Sequence, residues 1–130
     1  MKFIRHFWPA LAWFILSFVL LTLPGSSLPS NDWLSGIGFD KYVHIGLFGI
    51  LVFLFCWGTW KRFPADSRNT RRIISTGMLA LAYGIAMEFV QRDFIPNRSF
   101  DVGDILADGM GALLGVVFSW WRFVRRTGVA

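Results

Sequence analysis

Four long apolar runs divide this chain, at residues 7–23, 42–60, 73–90 and 102–121. A helix that crosses a bilayer needs about 20 mostly apolar residues, and each run approaches or meets that length. None shows the alternation of a barrel strand, so continuous helices are predicted. The connections are short, which makes successive helices antiparallel neighbours. The pattern reads as an all-α membrane protein: a four-transmembrane-helix bundle forming a single membrane domain over residues 1–130. No internal repeat or low-complexity segment interrupts it.

Composition agrees with a bilayer as solvent. The chain is 55% hydrophobic and only 16% charged, against about 25% charged residues in an ordinary soluble domain. Its net charge of +5 would raise nucleic-acid binding in a soluble protein. Here the basic residues flank apolar runs and the aromatics lie within them, so no nucleic-acid partner is expected. The single cysteine, Cys56, lies in an apolar run and cannot form an internal disulfide.

Basic residues give the orientation. Lys2, Arg5, Lys61, Arg62, Arg68, Arg71, Arg72, Arg122, Arg125 and Arg126 fall on one side, and Lys41, Arg92 and Arg98 on the other. The positive-inside rule places both termini and the 61–72 loop in the cytoplasm. Trp8, Trp57, Trp60, Trp120 and Trp121 fall near that face, as an interfacial belt does. The first run, preceded by Lys2 and Arg5, resembles a signal peptide. It is longer than the about 7–15 apolar residues of such a leader and is read as a retained helix.

Acidic residues carry separate information, because they contribute little to orientation. Only Asp66 falls in a cytoplasmic loop. Asp32, Asp40, Glu88, Asp93, Asp101, Asp104 and Asp108 all gather at the other side. Ionisable residues within membrane helices are costly and mark functional sites by default. Asp101, Asp104, Asp108, Gly111 and Gly115 recur at three- and four-residue spacing, so they share one face of the fourth helix. Gly111 and Gly115 form a GxxxG pattern that admits a close neighbour, within the bundle or in a homo-oligomer. Gly84, Glu88 and Gln91 share a face of the third helix, and Asp40 and His44 a face of the second. Arg98 joins them from the last loop.

The same residues carry a family resemblance. Asp40-Lys41-x-x-His44-x-x-x-Phe48 opens the second helix, and Tyr83-Gly84-x-x-x-Glu88-x-x-Gln91 closes the third. Arg98-Ser99-Phe100-Asp101-x-x-Asp104 and Asp108-Gly109-x-Gly111-Ala112-x-x-Gly115 follow. Over about residues 38–118 the chain resembles the VanZ-like family, named for a protein associated with resistance to the glycopeptide teicoplanin. The family usually has Asn where this chain has Asp108. The resemblance implies a helical membrane domain of the bacterial envelope, placed by the four spans as a multi-pass protein of the cytoplasmic (inner) membrane; the family's link to glycopeptide susceptibility need not transfer to this chain, and no cofactor is expected.

Asp40, Lys41, His44, Glu88, Gln91, Arg98, Asp101, Asp104 and Asp108 form the candidate binding set, with Gly84, Gly111 and Gly115 in helix packing. The leading reading is a module that binds a lipid headgroup or another amphiphile, including a lipid-linked or glycopeptide ligand, at the outer leaflet. Lys41 and Arg98 would hold an anionic part. Glu88, Gln91 and Asp104 would accept hydrogen bonds from hydroxyls or amines. An enzyme is the alternative, with Glu88 and Asp104 as acid and base and His44 as shuttle. A structural subunit braced by a Glu88–Asp104–Arg98 network is another, and a proton-coupled transporter a further one. No nucleophile motif or phosphate loop is present. His44, Glu88, Asp104 and Asp108 offer mixed nitrogen and oxygen donors, but without HxxxH or ExxH spacing no metal is expected.

Overall fold

The computed structural model describes residues 4–27, 33, 36–63 and 65–128; Lys2 and Asp32 lie outside them. Among the described residues are four long helices and no strand: α1 (Ile4–Leu21), α2 (Phe39–Arg62), α3 (Asn69–Phe94) and α4 (Val102–Phe123). Each is long and apolar enough to cross a membrane, which makes this a multi-pass membrane protein.

The apolar runs understate two helices. α2 begins at Phe39 and α3 covers Asn69–Phe94, three or four residues beyond the corresponding run at most ends. Hydropathy marks the stretch suited to lipid, whereas backbone hydrogen bonding continues into polar residues. Asp40, Lys41, Arg92 and Asp93 therefore sit on helical turns. α3 stops where Ile95 becomes extended, because Pro96 disfavours a helical residue before it. Asn97 follows with φ 58°, a left-handed conformation that asparagine tolerates. α4 starts at an N-cap: Asp101 is extended and its side chain accepts from the Gly103 N–H at 2.6 Å.

The bundle has an acidic end, with Asp40, Glu88, Asp101, Asp104 and Asp108, and a basic end, with Lys61, Arg62, Arg122, Arg125 and Arg126. α2 is the hub, packing on α1, α3 and most extensively on α4. Glycine makes that last contact close. A Cβ on Gly111 would run into the Ile45 carbonyl, and one on Gly115 would lie 2.8 Å from the Gly49 carbonyl oxygen. The GxxxG face thus packs against α2 of the same chain. Toward the basic end the core is aromatic: Phe123 stacks between Phe53 and Trp60, at 5.7 and 5.2 Å. Cys56 is buried there.

α1 packs mainly on α2, with Phe7 against Gly58. It is fastened by polar bonds as well. The Trp13 indole N–H donates to the Leu47 carbonyl at 2.9 Å. Near its acidic end Ser17 meets the Tyr83 hydroxyl at 3.3 Å, and the Leu21 carbonyl accepts from Gln91 at 2.8 Å.

Candidate polar site at the acidic end

Helical periodicity brings the predicted residues to one level. His44 lies one turn after Asp40 on α2, and Asp104 and Asp108 occupy successive turns of the α4 face that packs on α2. His44, Asp104 and Asp108 are all buried, Asp108 to 1% exposure. The His44 Nδ1 is 2.8 Å from Asp108 Oδ1. One proton joins the two atoms, and it is carried by the imidazole when the Asp108 carboxyl is ionised, since a carboxylate can only accept. The other ring nitrogen, Nε2, then points toward Asp104 Oδ2 at 3.7 Å. Asp108 fits because the facing residue of α3 is Gly84, where a Cβ would stand 2.6 Å from Asp108 Oδ2.

Asp104 joins this buried pair to the rim. Its Oδ1 accepts from the Lys41 ammonium at 2.7 Å. The same ammonium reaches Asp101 at 3.0 Å and Asp40 at 3.2 Å. The three carboxylates offer oxygens within 4.8 Å of one another, the arrangement of a hard-cation site, with the tethered Lys41 cation touching all three. Lys41, Asp40 and Asp101 are roughly half-exposed at the side chain. The Lys41 ammonium and the Gly103 N–H hold the Asp101 carboxyl below the usual carboxylate range.

The remaining predicted residues are fastened elsewhere. Glu88, 1% exposed, accepts from the Asp101 backbone N–H at 2.9 Å, so the end of α3 holds the start of α4. Gln91 binds the end of α1, as described above. Arg98 donates to the Leu23 carbonyl at 3.4 Å, and the ion pairs of the site include neither Arg98 with Glu88 nor Arg98 with Asp104. The expected brace of those three residues therefore gives way to a Lys41–Asp104–His44–Asp108 chain, supported by Glu88 from behind. The loop carrying Arg98 also meets the chain after α1, where Gly25 N–H donates to the Pro96 carbonyl at 3.3 Å.

Sequence reasoning assigned α1 no part in the site. Its Ser17 and Leu21 carbonyl, with the Leu23 carbonyl just beyond the helix, close one side of it. The available signal was Ser17 itself, a hydroxyl in an otherwise apolar run. Tyr83 was recognised only within a motif, yet it stacks on Phe48 with centroids at 5.6 Å and meets Phe14 at a tilt with centroids at 4.9 Å. That aromatic layer floors the polar cluster.

A family model described as VanZ/LLP1 matches residues 1–124, a span that includes α1 as well as the region of resemblance. No curated protein and no solved structure matches the chain significantly.

Proposed function

We propose that this chain, which belongs to the VanZ/LLP1 family, binds the headgroup of a membrane amphiphile in the polar site at its acidic end. The observation that carries this reading is the continuity of the site. Half-exposed Asp40, Lys41 and Asp101 lead through Asp104 to the buried His44–Asp108 pair. A polar column that begins at the headgroup level and descends one to two turns is suited to a ligand entering from that level.

Charge selects the chemistry. Five carboxylates surround one ammonium, and Lys41 is already shared among three of them. Arg98 directs its Nε to a backbone carbonyl. Carboxylates outnumber ammonium groups in the site, and this acceptor-rich lining favours hydrogen-bond donors, namely the hydroxyls of a sugar or an amino group. The excess of basic residues at the other end supports an acidic end facing outward, with both termini in the cytoplasm of a bacterial cell. An outward site for a cell-envelope amphiphile would also account for an effect on glycopeptide susceptibility.

Native mass spectrometry of protein taken from its own membranes tests the reading. A discrete adduct on the wild type, lost in a folded Asp104→Asn variant, is expected. Equal adducts on both, or none on the wild type, would sink it.

One observation favours a second reading, an acid–base enzyme. Asp108 orients His44 through Nδ1 and leaves Nε2 available, the arrangement in which a carboxylate holds an imidazole base. Conversion of a lipid-linked substrate by purified wild type and not by His44→Gln would establish it.

A further inference from the structure

Several cavities lie apart from the polar site, and one of them separates α1 from α3 over α2. It measures about 210 Å³ and is bounded by Phe14, Leu51, Phe55, Thr76, Ala80 and Tyr83. α1 and α3 meet above it, through Ser17–Tyr83 and Leu21–Gln91, and diverge below. Leu51 stands twelve residues into the 24-residue α2, roughly 18 Å along it at 1.5 Å per residue. The cleft therefore sits near the middle of a hydrocarbon core about 30 Å thick.

We infer that this cleft holds one hydrocarbon chain of a membrane lipid. Three observations choose the occupant. Its two hydroxyls are engaged within the protein: Thr76 donates to the Arg72 carbonyl at 2.9 Å and Tyr83 meets Ser17. Water in such a space would lack the two to four polar partners it needs. At this depth the surrounding solvent is lipid chains, and an empty cleft would forfeit dispersion contacts along its whole lining. The roof supplies the third observation. Tyr83, packed against Phe14 and Phe48, divides the cleft from the His44–Asp108 pair by about one helical turn. A ligand lying along the protein would thus meet apolar lining below and polar groups above, which is the division of an amphiphile. The inference rests on the amphiphile reading for its biological ligand, yet the two fail separately.

The full chain is reconstituted in phosphatidylcholine vesicles containing a minor fraction of phosphatidylcholine with a diazirine at mid-chain. This probe has no hydrogen-bond donor in its headgroup, so it reports on the cleft alone. After photolysis, adducts are mapped by peptide mass spectrometry. Adducts should concentrate on Phe14, Phe55 and Tyr83 over the outward-facing Leu106 and Leu113. Ala80→Leu, which fills the cleft, should lose them while keeping those on Leu113. Phe55→Leu, which widens it, should raise them on Phe14 and Tyr83, and serves alone if circular dichroism shows Ala80→Leu unfolded. Labelling of the cleft no denser than that of Leu113, indifference to the variants, or a crosslink from the cleft to a second copy would overturn the inference. Cleft adducts that persist in Asp104→Asn, with native adducts unchanged there too, would leave the cleft standing and remove the headgroup reading.

Discussion

The His44 Nδ1 of α2 lies 2.8 Å from Asp108 Oδ1 of α4, with both side chains almost fully buried. The pair crosses the most extensive helix contact of the bundle, so its coupling is measurable as stability. Interhelical side-chain bonds in membranes average about 0.6 kcal/mol, with a maximum near 1.7. A double-mutant cycle of His44→Ala and Asp108→Ala, read by unfolding in detergent, should give about 0.6–1.7 kcal/mol of coupling. Additive effects would show that the two side chains act independently.

Asp108→Asn should separate charge from shape. The amide oxygen can still accept the Nδ1 proton, so stability should fall less than in Asp108→Ala, which leaves a buried donor unmatched at a cost of about 1–3 kcal/mol. Equal melting temperatures for the two variants would contradict this.

Lys41→Met removes the cation from between three carboxylates. Asp101 is depressed below its ordinary 3.8 chiefly by its bond to Lys41. A depressed carboxyl stabilises the fold above its unfolded pKa, and that stabilisation is lost as pH falls through the folded value. The wild type should therefore lose this contribution only below about pH 4. In Lys41→Met the Asp101 titration should move upward, as a carbon-detected NMR titration in micelles would reveal. An unmoved Asp101 would mean that its N-cap bond to Gly103 sets its acidity.

Gly111→Ala and Gly109→Ala form a matched pair. The first drives a methyl into the Ile45 carbonyl, a backbone atom that cannot rotate away, while the second meets only Leu81 at 3.6 Å. Overpacking typically costs about 1–3 kcal/mol. Relief of glycine's helix penalty, up to about 1 kcal/mol, works the other way. Gly111→Ala should be destabilised in thermal unfolding and Gly109→Ala unchanged or slightly stabilised.

Orientation has its own measurement. In a Cys56→Ser background, Ser99→Cys should react with a membrane-impermeant maleimide on intact cells, and Arg68→Cys only after permeabilisation. The reverse pattern would invert the proposed topology.

The four helices were legible because a bilayer-spanning run imposes a length that sequence displays directly. The site was partly legible for a related reason: three- and four-residue spacing fixes which residues share a face, and it placed His44, Asp104 and Asp108 together. Pairing was harder, since a face does not say which neighbour it meets. His44 shares a helix face with Asp40, yet its partner is Asp108, because Gly49, Gly111 and Gly115 draw α2 onto α4. Arg98 was expected among the carboxylates, but the turn at Pro96 and Asn97 sends it to Leu23. Loop direction depends on a few dihedral angles that apolar periodicity does not encode. α1 and the residues just after it went unassigned because two of their contributions, at Leu21 and Leu23, are backbone carbonyls, which every residue has.

Lys41 gives the site a tethered counter-ion. A cluster of three carboxylates would ordinarily recruit whatever mobile cation the surroundings supplied, and its occupancy would follow salt. Here the neutralising charge is part of the polypeptide, present at constant stoichiometry in every molecule. On the proposed reading, an incoming amine would displace or share a resident ammonium, so binding would take the form of an exchange. The lysine side chain set free by that exchange would be open to acylating reagents, which makes its reactivity a built-in reporter of occupancy.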